Sequence, residues 1–316
     1  MPISRLAPSP TGYLHIGNAR SFLLAWLQAR ALGGEIVLRI DDLDAERAVV
    51  GSDIEIVDEL RWLGLDWDNT LGPGDYQSNR LDLYREALER LEAMGLLFPC
   101  FCSRRELAGA MSAPHGGTPR YPGSCRSLSE SVRGDRRLEK SPALRFAIQG
   151  KGSVRFTDLI HGERRVDVAT ETGDFIVARA DGVPSYQLAV VVDDIAAGVT
   201  HVLRGEDLLD STARQVLLYE TFGERAPIYT HVPLILDEDG RRLAKRHGGI
   251  SIAEMRREGW ASESLVGWLA WSSGLIDTPR AMRPVELIER FDVAALRREP
   301  TTLSYAELER YRASGT

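Results

Sequence analysis

The chain has 316 residues, with 39 Lys and Arg against 46 Asp and Glu, a net charge of −7, 43% hydrophobic and 27% charged residues. This is a globular composition with room for two or three domains, and it excludes a surface that is basic throughout, so any RNA contact must be local. No stretch nears the roughly 18 apolar residues of a membrane span, and the first ten residues are neither a signal nor a transit peptide, so a cytoplasmic protein with no membrane partner is expected.

The first legible unit is RLAPSPTGYLHIGNAR, residues 5 to 20. A short apolar segment is broken by Pro8, Pro10 and Gly12, and then Ile16, Ala19, Leu23, Leu24 and Leu27 recur at helical spacing. The pattern predicts a strand, a tight turn and a helix. Such a junction aims unpaired backbone N–H groups and the positive end of the helix dipole at one spot, which suits a phosphate. His15 offers a donor there, and Gly17, having no Cβ, lets a flat base approach. A Pro-rich loop capping an ordinary helix is the plain alternative.

Next, GGEIVLRI reads as a second strand ending in the acidic run DDLDAER. Asp41 is the first carboxylate past its C-terminal edge, where open α/β sheets bind ligands, so it points into the crevice or caps the next turn. Helical pattern follows from Asp53 to Leu63, then a long amphipathic helix with Leu81, Tyr84, Ala87, Leu88, Leu91 and Met94 on one face. Two β–α units and a further helix predict a doubly wound sheet.

All three cysteines fall at Cys100, Cys102 and Cys125, with His115 and Tyr121 between the last two. Zn²⁺ takes four tetrahedral ligands, and thiolates supply three here; the fourth is His115 on general chemical grounds or Tyr121 by position. Three cysteines filling core space is the alternative. No open ligand position stands beside a base, so the metal would be structural. Residues 126 to 173 then turn Ser- and Arg-rich and alternate in short strands, a small α+β insertion.

From DFIVA the main domain resumes. Arg204 immediately follows a buried-looking strand and should meet a carboxylate, either Glu206 or Asp207 or that of a ligand. Tyr186 follows a Gly-Val-Pro turn. Beyond an acidic DEDG hairpin comes the basic loop RRLAKRHGG, where Lys245 can reach a polyphosphate. Residues 251 to 316 contain helices around ESLVGWLAWSSGL, PVELIERF and SYAELERYRAS.

Taken together, RLAPSPTGYLHIGNAR, LRIDDLDAER, DYQSNR, DFIVARADGVPSYQLAVVVDD, HVLRGEDLL and RRLAKRHGG resemble, in order, the blocks of class I glutamyl-tRNA synthetases. HIGN resembles the first class I signature and RLAKR the second. The resemblance implies a doubly wound parallel, Rossmann-type α/β fold of class I aminoacyl-tRNA synthetase type, its catalytic halves at 1–98 and 174–240. It implies a zinc-containing α+β insertion, acceptor-binding-like, at 99–173, and a second-signature loop with a helical, stem-contact-like region at 241–316. An anticodon-binding domain is expected to be absent. That absence and the Cys-x-Cys, Tyr, Cys arrangement resemble the short branch of the family, whose members attach glutamate to the queuosine base of tRNA(Asp).

The resemblance further implies a glutamate pocket of Arg5, Ala7, Ser9, Asp41, Tyr186 and Arg204, and ATP held by His15, Gly17, Asn18 and Lys245, with His15 and Lys245 catalytic. It favours Cys100, Cys102, Tyr121 and Cys125 as ligands of one structural Zn²⁺ per chain, and Mg²⁺ accompanying ATP. The expected partners are L-glutamate, ATP and tRNA(Asp) carrying queuosine, and a monomer is expected. A truncated enzyme charging a tRNA 3′ end, or a non-catalytic paralogue, would share most of these blocks. The chain departs from the family pattern at Asp41, where glutamate is usual, at Asn18 in place of the last His of HIGH, and at Arg242 and Ala244 in the second signature.

Overall fold

The computed structural model describes residues 1–103, 105–107, 121–148, 150, 152–241, 243 and 251–314. The first half runs β1 (Ile3–Leu6), α1 (Ile16–Ala31), β2 (Glu35–Leu38), α2 (Ser52–Trp62), α3 (Leu81–Ala93) and β3 (Leu97–Cys100). The middle holds α4 (Glu130–Glu139), β4 (Ala143–Phe146), β5 (Ser153–Asp158), β6 (Gly162–Asp167) and β7 (Phe175–Ala178). Then come α5 (Tyr186–Ala196), β8 (His201–Gly205), α6 (Leu209–Phe222), β9 (Ile228–Val232) and β10 (Ile235–Leu236). The chain continues through α7 (Ile252–Arg257), α8 (Ser262–Ser272), β11 (Thr301–Thr302) and α9 (Tyr305–Ser314).

Two parallel pairs form the centre. β1 pairs with β2 across α1, and β8 pairs with β9 across α6. The pairs meet where the Thr200 amide donates to Ile3 O at 2.8 Å and the Ile3 amide donates to Thr200 Oγ1 at 2.9 Å. β5 extends β9 in parallel, and β6 closes that edge antiparallel. β3, β4 and β7 make a separate antiparallel sheet, with β4 between the other two.

The period-2 alternation of the parallel strands sorts side chains into two cores. Leu203 and Val232 join α1, α2 and α8 on one face, while Val202 and Tyr229 join α3, α5 and α6 on the other. Helices thus cover both faces, the doubly wound α/β arrangement expected from the sequence. No described helix is long and apolar enough to cross a membrane.

α1 buries the five predicted positions together with Trp26, Gln28 and Arg20, so it is covered on nearly every side. α3 differs from its sequence pattern. Tyr84, Ala87 and Leu91 are buried, but Leu81, the first residue of the helix, and Met94, just past its end, are about half exposed, at 50% and 48%.

Candidate active site and metal centre

The loop between β1 and α1 is pinned from three directions. The Asp41 amide donates to Pro8 O, the Val49 amide to Pro10 O, and Ser52 both accepts from the Gly12 amide and donates to Gly12 O. Gly12 itself sits at φ 111°, a turn that a side chain would strain. The chain then enters α1 with His15 in extended conformation at the N-cap, its side chain making no capping bond. Nothing lies within 4 Å of where a Gly17 Cβ would stand, so packing does not demand this glycine. Asn18 is exposed beside it.

Residues following the second signature are stitched to this turn. The Ile252 amide donates to Leu14 O at 2.8 Å, and His15 forms a β-bridge with Ser251. Beneath them, buried Glu59 accepts from the Leu14 amide at 2.9 Å and from the backbone of Ala253, and burial pushes its pKa up to about 7. The residues Arg242, Ala244 and Lys245 lie outside the described residues, as does His115.

At the strand ends, Arg5, Ala7, Ser9 and Asp41 are gathered around the same pinned loop. Arg5, on β1, gives its Nε to Asp194 at 3.3 Å. Arg39, just past β2, binds Asp41 at 2.7 Å and Asp194 at 2.8 Å, with Asp193 at 3.5 Å. Burial opposes the Arg39 charge, yet the three aspartates hold its pKa well above the ordinary value. Burial also raises the Asp41 pKa against the pull of Arg39. Of the two roles open to Asp41, capping is not the one taken: its carboxylate is held by Arg39 two residues upstream, the spacing that puts side chains on one side of a strand.

Arg204, on β8, is placed differently. It is 6% exposed, yet neither Glu206 nor Asp207 takes it, and among the described residues no carboxylate pairs with it. Its Nε donates to His231 Nε2 at 3.0 Å, one terminal nitrogen to the Tyr186 hydroxyl at 3.1 Å, and the other to Thr212 Oγ1 at 2.8 Å and Leu208 O at 3.4 Å. All four acceptors are neutral groups. Tyr186, at the start of α5, is 41% exposed and carries this cluster to the surface. The ring of Tyr229 packs 5.3 Å from the Arg204 guanidinium.

The three thiols converge at the end of β3. Cys100, Cys102 and Cys125 have sulfurs within 4.8 Å of one another, with Cys102 and Cys125 at 3.6 Å. A tetrahedral Zn²⁺ with bonds of about 2.3 Å to sulfur spaces its sulfurs at roughly 3.8 Å, so the donor set fits that ion. The Tyr121 hydroxyl stands 3.6 Å from Cys100 Sγ while accepting from the Cys125 amide at 2.8 Å, which supplies a fourth oxygen donor facing the thiols. Arg145 is buried with its guanidinium 3.8 Å from the Tyr121 ring centre, bringing positive charge to the cluster.

A family model described as the catalytic domain of class I tRNA synthetases (E and Q) matches residues 3–309. The chain belongs to this family. A relative from Symbiobacterium thermophilum named glutamyl-Q tRNA(Asp) synthetase is 52% identical over 312 residues, 96% of each chain. One of the same name from Nocardia farcinica is 45% identical, over 95% of this chain and 92% of its own. The crystal structure of a glutamate tRNA ligase from Elizabethkingia meningosepticum, in complex with its amino acid, superposes with a TM-score of 0.83 at 29% identity, covering 98% of this chain and 68% of that one.

In this class I synthetase the Asp41 amide holds the loop that carries Ala7 and Ser9, Arg5 and Asp41 share the Arg39–Asp194 network, and Tyr186 meets Arg204. Sequence reading missed Arg39, Asp193, Asp194, Asp158 and His231, which hold these residues. Only Arg39 left a local signal, its two-residue spacing from Asp41 at the end of a predicted strand.

Proposed function

We propose that this chain activates L-glutamate with ATP to glutamyl-AMP and transfers the glutamyl group to the queuosine base of tRNA(Asp). The observation that carries the glutamate half is Arg204: a buried guanidinium surrounded by neutral acceptors keeps its charge for a ligand carboxylate, since a buried charge needs a counter-charge. The queuosine half is supported by the relatives named glutamyl-Q tRNA(Asp) synthetase, which match over nearly their full length.

Arg204 and the Tyr186 hydroxyl grip one carboxylate. The phenol oxygen accepts from the guanidinium and its own hydrogen is left to donate outward. Arg5, which gives only its Nε to Asp194 among the described residues, directs its terminal nitrogens at the second carboxylate. Asp41, immobilised by Arg39, keeps free lone pairs for the ammonium, with Ala7 and Ser9 closing the loop beside it.

In the first step an oxygen of the glutamate α-carboxylate attacks the α-phosphorus, and the bond to pyrophosphate breaks. Charge grows on the phosphate oxygens, so donors aimed there lower the barrier; the α1 N-terminus, His15 and Lys245 are the groups assigned to that task, with Gly17 and Asn18 against the nucleotide. Mg²⁺ accompanying ATP would share the phosphate charge. In the second step a hydroxyl on the cyclopentene ring of queuosine attacks the activated carbonyl and AMP leaves. Cys100, Cys102, Cys125 and Tyr121 would hold a structural Zn²⁺, which ties the end of β3 to the following loop without entering the chemistry.

The test is acceptor identity. Purified protein with ATP, Mg²⁺ and radioactive glutamate should label tRNA(Asp) containing queuosine, and the label should be lost when queuosine is replaced by guanosine. Label on the 3′ end of tRNA(Glu) would overturn the queuosine assignment while leaving activation intact.

A further inference from the structure

Resting on the reading of Arg204 as a glutamate ligand, we infer that His231, oriented by Asp158, is the positioning residue that fixes Arg204 and keeps its charge available to the substrate.

The hydrogen positions follow from the partners. A guanidinium can only donate, so His231 Nε2, 3.0 Å from Arg204 Nε, must be an unprotonated acceptor. The hydrogen therefore sits on Nδ1, which lies 2.6 Å from Asp158 Oδ2. Asp158 is itself fixed: its other oxygen accepts the Ile160 and His161 amides at 2.9 and 2.8 Å, and Oδ2 also accepts the His231 amide at 3.1 Å. Both side chains are fully buried, at 0% exposure. The Thr212 hydroxyl, 3.1 Å from the same His231 nitrogen, takes Arg204 from below.

This arrangement puts the width of an imidazole ring between a carboxylate and the arginine it orients. A direct ion pair would fix Arg204 equally well and neutralise it, so an incoming carboxylate would compete with an internal one. With the ring as spacer, four of the five guanidinium hydrogens are used to hold the group in place. The fifth, on the nitrogen that also meets Tyr186, is left with the positive charge for the ligand. A carboxamide in the same place would leave that charge buried without a counter-charge, which favours glutamate over glutamine.

The experiment compares wild type with His231→Leu, which keeps volume but removes the acceptor, and His231→Gln, whose side-chain oxygen restores one. In glutamate-dependent ATP–pyrophosphate exchange, His231→Leu should raise KM for glutamate at least about tenfold with KM for ATP within about twofold, and His231→Gln should recover part of the loss. Discrimination against glutamine should fall by a similar factor. Unchanged glutamate KM, or equal rises for glutamate and ATP, overturns the proposal. A second measurement needs no variant: ¹⁵N chemical shifts of His231 in the wild type should report a neutral ring protonated at Nδ1, and a ring protonated at Nε2 overturns it. Wild type that binds no glutamate by calorimetry overturns the glutamate reading and this proposal with it. Binding that the Leu variant leaves untouched overturns this proposal alone.

Discussion

Arg39 Nε lies 2.7 Å from Asp41 Oδ1, and the other end of the same guanidinium lies 2.8 Å from Asp194. One buried cation thereby ties the end of β2 to α5, two elements separated by some 150 residues of sequence.

Removing that cation takes away the ion-pair partner of Asp41 and one of the two arginines on Asp194, which keeps Arg5 at 3.3 Å. Arg39→Met should lower unfolding free energy by about 3–5 kcal/mol, the usual effect of breaking a buried ion pair from one side. Arg85→Ala breaks an exposed pair with Asp82 and should leave the denaturation midpoint unchanged within error. Urea unfolding of both variants checks the contrast.

Glu59 predicts a pH dependence with a definite sign. Its pKa rises from 4.5 in the unfolded chain to about 7 in the fold, so the folded state favours the protonated form. Its contribution to stability is present below pH 4.5 and is lost as pH rises through 7. Glu59→Gln, which keeps the acceptor for Leu14 and carries no charge, should flatten this part of the profile and should be relatively most stabilised near pH 8. Thermal unfolding midpoints between pH 5 and 8 make the measurement.

His15 and Lys245 are assigned to charge that grows during adenylate formation. His15→Ala and Lys245→Ala should each depress pyrophosphate exchange by about 10²–10³, the usual loss for one such donor, while glutamate affinity by calorimetry changes less than about twofold. Equal losses in both measurements would place the residues in ground-state binding.

Elemental analysis should find one zinc per chain. Cys125→Ser, at a fully buried sulfur, should lose the metal, and a strong chelator should lower the melting temperature of wild type toward that of the variant. Tyr121→Phe removes the phenol oxygen alone and should weaken zinc retention in a chelator competition without emptying the site.

Much of the frame was legible in the chain itself, because local pattern and tertiary environment agree there. The Pro and Gly breaks between Leu6 and Ile16 produce the strand, turn and helix that the spacing predicts, and the three cysteines converge as their confinement suggests. The supports of the site were not legible. His231 and Asp158 lie on β9 and β5, 73 residues apart, and reach each other only because those strands pair. Nothing in either local sequence marks the partner. Arg204 shows the same limit: its burial was readable from the strand that carries it, but the neutral acceptors that stand around it in place of Glu206 or Asp207 come from separate parts of the chain. Leu81 and Met94 err the other way, since helical periodicity reports a possible apolar face and not how much of that face a neighbour covers.

The bonds between Ile3 and Thr200 set the order in which this molecule can be completed. They close a span of 197 residues. At a synthesis rate of about 5–20 residues per second, the newly made β1 waits roughly 10–40 s on the ribosome before its neighbour emerges. Throughout that interval the strand carrying Arg5 has an open edge on that side, so the nascent amino-terminal half is where assistance from a chaperone would matter most.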